Sequence, residues 1–266
     1  MRERLVPLTV LAALLLLGVQ APLAADTLTE TFEETYEVAA GTRVSLRNTN
    51  GSVSIETWSQ NSVRIVAEKR VRTRDEEHAR EAIEAIEIIV TERDGRLEIE
   101  TEYPRESTGM FSWLFGRDVD ASVRYELRVP ASVELDVVTV NGSVSSDGPQ
   151  GEQRLRSTNG RINVEGAGGS VEARTTNGSV KVEVEDGEAE MDIDIATTNG
   201  SITLYIPADF QGRLEARTVN GSVRTDLPVT LKGNISKRRM DAELNGGGAA
   251  HIGLRTTNGS IRIQKS

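Results

Sequence analysis

The sequence predicts an all-β fold of stacked two-stranded coils, and three observations carry that expectation. The string Thr139-Val140-Asn141-Gly142-Ser143-Val144 returns with little change around Asn50-Gly51, Asn159-Gly160, Asn177-Gly178, Asn199-Gly200, Asn220-Gly221 and Asn258-Gly259. From Asn141 to Asn220 the copies lie 18, 18, 22 and 21 residues apart, and Asn258 follows after 38, close to two coils of 19. Near-constant periods of this length mark repeat architectures. Apolar residues also alternate with period two on both sides of each Asn-Gly, as in Ile193, Ile195, Thr197 before it and Ile202, Leu204 after it. That is the period of a strand buried on one face.

Each copy therefore reads as two half-buried strands joined by a tight reversal. Asn tolerates a left-handed backbone and Gly adopts it freely, so Asn-Gly suits a turn that needs positive φ twice. A second punctuation separates the copies: Asp147-Gly148-Pro149, Gly166-Ala167-Gly168-Gly169, Glu185-Asp186-Gly187 and Pro207 to Gly212. Two strands and two turns per copy fit a flattened two-sheet coil, and they fit an antiparallel meander as well. The column Thr139, Ser157, Thr175, Thr197, Thr218, Thr256 favours the stack. There each residue meets its equivalent about 4.8 Å away, where small polar side chains repeat well and form ladders.

In chain order, Arg2 and Arg4, the apolar run Leu5 to Val19 and the small residues of Ala21-Pro22-Leu23-Ala24-Ala25 give residues 1–25 the plan of a secretory signal. An uncleaved anchor is the alternative, although Pro7 and Gly18 interrupt the run. Cleavage after Ala25 changes the net charge from −10 to −11, because two Arg and one Glu leave. Residues 27–40 alternate loosely and form an entry strand. The first copy, Asn50-Gly51-Ser52-Val53 with Ile55, Trp58, Val63, Ile65, Ala67 and Lys69, resembles the opening of the bacterial putative-adhesin family (DUF4097, toastrack-like). The resemblance spans roughly residues 40–266. It implies a single domain over 26–266 built as a right-handed parallel β-solenoid, a two-sheet β-helix or roll of about 18–22-residue coils.

Residues 75–90 break the β pattern. Asp75 caps a helix with Glu76 and Glu77 in its first turn, and Ala79, Ala82, Ile83 and Ile86 recur at helical spacing. The helix seals an edge or end of the stack, with partner docking as the alternative. A strand pair follows, Ile88 to Thr91 and Leu97 to Thr101, turned through Asp94-Gly95. Together these make 75–102 a helix plus strand-pair insertion. Residues 103–120 form a loop whose Met110, Phe111, Trp113, Leu114 and Phe115 either cap the core or offer a docking patch. In the last interval, Lys237-Arg238-Arg239 lies on a protruding loop that could contact an anionic polymer.

Composition narrows the chemistry. With 31 Lys+Arg against 41 Asp+Glu, the chain lacks the basic footprint of a nucleic-acid binder. It has no Cys and only two His, His78 and His251, so thiolate sites, a three-His zinc site and a Ser-His-Asp triad have no setting. The run Glu183, Glu185, Asp186, Glu188, Glu190, Asp192, Asp194 lacks a calcium-loop pattern and reads as counterion attraction. Arg47, Arg156, Arg174, Arg217 and Arg255 stand three residues before Asn on the outer face. Asp136, Glu172, Asp194 and Glu215 stand beside them, which makes a charge lattice rather than a binding comb. The expected function is a non-enzymatic, exported adhesin-like module without cofactors. It would present a rigid repetitive face to an envelope polymer or a surface protein, in the periplasm or at the cell surface. An envelope stress-sensing module and a polysaccharide-active lyase or hydrolase are the alternatives.

Overall fold

The computed structural model describes residues 27–73, 75–103, 119–185, 190–232 and 236–266, so the expected signal at 1–25 lies outside the described residues. In chain order, β1 (Thr27–Glu37), β2 (Arg43–Arg47), β3 (Val53–Trp58) and β4 (Ser62–Arg72) precede α1 (Glu76–Glu84). Next come β5 (Glu87–Arg93), β6 (Arg96–Glu102), β7 (Asp120–Pro130), β8 (Glu134–Thr139), β9 (Val144–Asp147), β10 (Gln153–Ser157) and β11 (Ile162–Ala167). β12 (Val171–Asn177), β13 (Val180–Val184), β14 (Asp192–Asn199), β15 (Ile202–Ile206), β16 (Gly212–Asn220) and β17 (Val223–Thr225) continue the repeats. β18 (Val229–Leu231), β19 (Arg239–Leu244), β20 (Ala250–Asn258) and β21 (Ile261–Lys265) close the chain.

The strands build two sheets. One has ten strands in the order β1-β4-β7-β3-β9-β11-β13-β15-β21-β17. The other has eleven, β18-β19-β16-β20-β14-β12-β10-β8-β2-β6-β5. Period-two alternation turns Leu135, Leu155, Ala173, Ile195, Leu254 and Ala216 of the larger sheet inward, and Ile55, Val164, Val182, Leu204 and Ile263 of the smaller sheet meet them; all are buried. At about 25 cal/mol per Å² of apolar surface removed from water, this shared core is the main source of stability. A polar pair interrupts it, and its members are satisfied: the Ser146 hydroxyl donates to Gln153 Oε1 at 2.8 Å, and Gln153 Nε2 donates to the Pro149 carbonyl.

Three expectations are corrected. The pairing is parallel only through the middle, as where β10 sits between β8 and β12. Both ends are antiparallel, at β1–β4, β4–β7 and β5–β6 on one side and at β16–β19 and β18–β19 on the other. The turn at Asp94-Gly95 shows why: two residues return a strand beside itself, and only an antiparallel partner results. Stacking order also departs from chain order. β20 lies between β14 and β16, and β21 between β15 and β17. The 38-residue interval therefore holds a hairpin at the edge and a last coil inserted one layer back, rather than two successive coils.

The third correction concerns the corners. Among the described residues, only Asp94 and Asn245 have positive φ outside glycine, and of the glycines in the seven repeat corners only Gly51 has it, at φ 123°; Asn245-Gly246, outside the repeat corners, has it at both residues. Positive φ is not what selects Asn-Gly here. The helix is shorter than expected, ending at Glu84 with Ile86 already beyond it, yet its cap is as read: Asp75 accepts from the backbone N–H of Glu77 and His78. It packs on β1 and β4 through Ala79, Ala82 and Ile83.

Candidate functional site

What selects Asn-Gly is contact between layers. At Gly142, Gly160, Gly178, Gly200, Gly259 and Gly221 an added Cβ would stand 1.9–2.0 Å from the carbonyl oxygen of the neighbouring layer's corner glycine. Only a residue without Cβ permits that approach. The carbonyl so exposed is a hydrogen-bond acceptor, and the Thr column serves it. Ser157 donates to Gly142 O, Thr175 to Gly160 O, Thr197 to Gly178 O, Thr256 to Gly200 O and Thr218 to Gly259 O, all at 2.8–2.9 Å. In the first layer Asn48 takes this place and gives its amide to Val123 O at 2.8 Å.

The Asn side chains form a second ladder on the outside of the corner. Asn141 Nδ2 donates to Asn50 Oδ1, and the chain continues Asn159 to Asn141, Asn177 to Asn159, Asn199 to Asn177, Asn258 to Asn199 and Asn220 to Asn258, each at 2.7–2.8 Å. All seven turns named from the sequence are thereby brought into one column. Beside it on the larger sheet runs an exposed β-branched column, with Thr158, Thr176, Thr198 and Thr257 joined by Val140 and Val219, which are 38% and 56% exposed.

The next outward columns carry charge. Arg156 lies 2.7 Å from Glu172 and 3.6 Å from Asp136, and Arg174 lies 2.7 Å from Glu172 and 2.6 Å from Asp194. The Asp194 carboxylate, with Glu172 beside it, holds the Arg174 guanidinium above its usual pKa. On the smaller sheet the Asn163 amide and the Lys181 ammonium hold Glu165 below the usual carboxylate range, and Glu165 in turn raises Lys181. The middle of the stack is thus the neutralised lattice expected from the sequence. Exposed pairs of this kind are each worth about 0–1 kcal/mol.

Of the candidate binding residues, Phe111, Trp113, Leu114 and Phe115 lie outside the described residues. Lys237, Arg238 and Arg239 do not protrude. Ser236 and Arg239 bridge to close a turn whose Lys237 and Arg238 carbonyls accept from Val223 N and Thr218 N at 2.9 Å. These bonds fold the turn over the Asn220-Gly221 corner as one more layer, and Arg239 is engaged by Asp241. Sequence reading placed Arg255 in the charge lattice rather than in a binding site, and passed over Arg224 and Arg262. Charge summed along the chain would have found them, because residues 212–266 hold ten Lys/Arg and four Asp/Glu while the whole chain is at −10. Among the described residues no group of three or more His, Asp or Glu is placed to hold a metal, and no helix is long and apolar enough to cross a membrane.

A family model described as a domain of unknown function, DUF7330, matches residues 119–238, less than half of the chain. No curated protein matches. Among solved structures, a "putative cell adhesion protein" from Clostridium sporogenes is 15% identical over 89% of this chain and 100% of its own, with a TM-score of 0.48. A "putative adhesin" from Bacteroides fragilis is 11% identical over 89% and 97%, at 0.28, and a "putative lipid binding protein" from Parabacteroides distasonis is 10% identical over 90% and 96%, at 0.26. Identity at this level transfers neither ligand nor activity.

Proposed function

We propose that the chain is a non-enzymatic, exported adhesin-like interaction module, a single domain over residues 26–266 with residues 1–25 as its signal. In this reading its middle is a right-handed parallel β-solenoid of about 18–22-residue coils, akin to the DUF4097 family, and it works in the periplasm or at the cell surface. The supporting observation is the corner itself: seven layers whose Asn amides form one unbroken column, with Ser or Thr hydroxyls bonded to the neighbouring Gly carbonyl at five of the junctions at 2.8–2.9 Å. Such a face is rigid and repeats at one strand spacing, about 4.8 Å. Weak contacts to a repeating partner then add through effective concentration, with little ordering cost on the protein's side. The test is retention of the full chain on envelope polysaccharide fractions, with released sugars assayed in parallel. Retention without product is expected; product whose formation is abolished by carboxylate substitution would replace this reading with an enzyme.

A further inference from the structure

We infer that the C-terminal end of the stack is a binding site for an extended anionic polymer carrying repeated phosphate or carboxylate groups, resting on the adhesin-like reading and giving its ligand a chemical class. The observation is a reversal of charge along the molecule. Residues 212–266 carry ten Lys/Arg against four Asp/Glu, net +6, whereas the chain as a whole is at −10, leaving −16 for residues 1–211.

The reversal is built by loss of partners as much as by gain of cations. In the larger sheet the outward row Ala196, Arg255, Arg217, Arg239 runs across adjacent strands, placing three guanidinium groups side by side. The carboxylate column that neutralises such a row in the middle of the stack reads Glu172, Asp194, Gly253, Glu215, Asp241. At Gly253 it has no side chain, and Arg255 forms no ion pair among the described residues, while Arg217 keeps only Glu215 at 3.3 Å and Arg239 keeps Asp241 at 2.5 Å. The smaller sheet repeats the pattern. Its basic row ends in Arg262 and Arg224, and its acidic column Glu165, Glu183 continues as Tyr205 and Gln264, with a carboxylate returning only at Asp226, to which Gln264 donates at 3.4 Å. Between the two faces, the turn of Lys237 and Arg238 closes over the corner, with both side chains exposed.

Cations therefore wrap the end of the stack on both sheets and across the corner, and while Arg217 and Arg239 keep a carboxylate each, Arg255, Arg262, Arg224, Lys237 and Arg238 form no ion pair among the described residues. A guanidinium presents paired donors that match the two oxygens of a phosphate or carboxylate. Several at strand spacing on a rigid frame would engage successive charges of one polymer, and binding would weaken with salt as counterions return.

The experiment titrates the full chain with inorganic polyphosphate, polygalacturonate and uncharged dextran across a range of salt. Binding is expected to one or both polyanions and not to dextran, and comparing the two separates phosphate from carboxylate as the source. Arg255→Gln with Arg262→Gln should weaken binding at least tenfold and shallow the slope of log K against log salt by about 1–2. Arg156→Gln, held between Asp136 and Glu172 in the neutralised middle, serves as the control and should change affinity less than twofold. Equal affinity in wild type and double variant, equal loss in the control, or equal binding of dextran overturns the inference. Envelope retention unchanged in the double variant would overturn the basic end and leave the adhesin reading standing. Polyphosphate binding at the basic end with no retention on any envelope fraction would do the reverse.

Discussion

At the scale of single residues, the corner separates positions that look alike in sequence. Thr175 and Thr176 are neighbours of the same type, yet Thr175 is buried and donates to Gly160 O at 2.9 Å while Thr176 faces solvent. Thr175→Val keeps the shape and strands the Gly160 carbonyl, at a cost of about 1–2 kcal/mol. Gly178→Ala is more severe, because its Cβ would meet Gly160 O at 2.0 Å and force two layers apart, costing on the order of 3 kcal/mol. Thr176→Ala should stay within about 0.5 kcal/mol. Denaturant unfolding of the three variants should give that order, and a Gly178→Ala variant as stable as wild type would remove close contact as the reason for glycine. The Asn, Gly and Thr columns were legible in the sequence because identity repeated at one spacing is visible without coordinates. The reason for the glycine was not, because a left-handed turn and a close backbone approach demand the same residue.

Among elements, β6 and β7 are joined across the core by a bond the sequence does not announce. Tyr125 of β7, in the smaller sheet, and Thr101 of β6, in the larger, share a hydrogen bond of 2.6 Å with both side chains buried. Residues 103–119 separate the two strands in sequence, so no local pattern pairs them. Burial pushes the Tyr125 phenol up from 10.0 to about 12. The folded state therefore holds this proton more tightly than the unfolded chain does. Its contribution is complete below pH 10 and is lost as pH rises through about 12. Burial also raises Tyr36 and Tyr103, both at the same end of the stack. Tyr125→Phe should cost about 1 kcal/mol at neutral pH and make the alkaline fall in stability shallower by one titrating group. Urea midpoints measured at pH 7, 10 and 11 would show it, and a wild-type midpoint flat across that range would contradict it. The helix, by contrast, could be read in advance from Asp75 and its apolar spacing, because cap and periodicity are both local.

For the whole molecule, the order of layers is the feature that no copy of the repeat encodes. Each copy presents the same Asn, Gly and Thr to its neighbour, so any copy fits beside any other in the same register, and chain order alone predicts a sequential stack. In the structure the last coil, β20 and β21, fills the slot between β14–β15 and β16–β17, and Asn258 carries the ladder from Asn199 to Asn220. β20 and β21, the last two strands in chain order, are thus internal. Every layer past β15 must wait for them, and that long-range closure is the slow kind, because its entropy is spent before its contacts form. Deleting residues 245–266 leaves the facing edges of β14 and β16 unpaired, along with Ile193, Ile195, Leu214 and Ala216 of the core beneath them. Hydrogen exchange on the truncated chain should show β16, β17 and the hairpin β18–β19 losing protection together, while β8, β10 and β12 retain theirs. If β16 instead keeps its protection, it has slid one layer to pair with β14 and rebuilt the ladder from Asn199 directly to Asn220, and the inserted coil is not what holds the end of the stack in place.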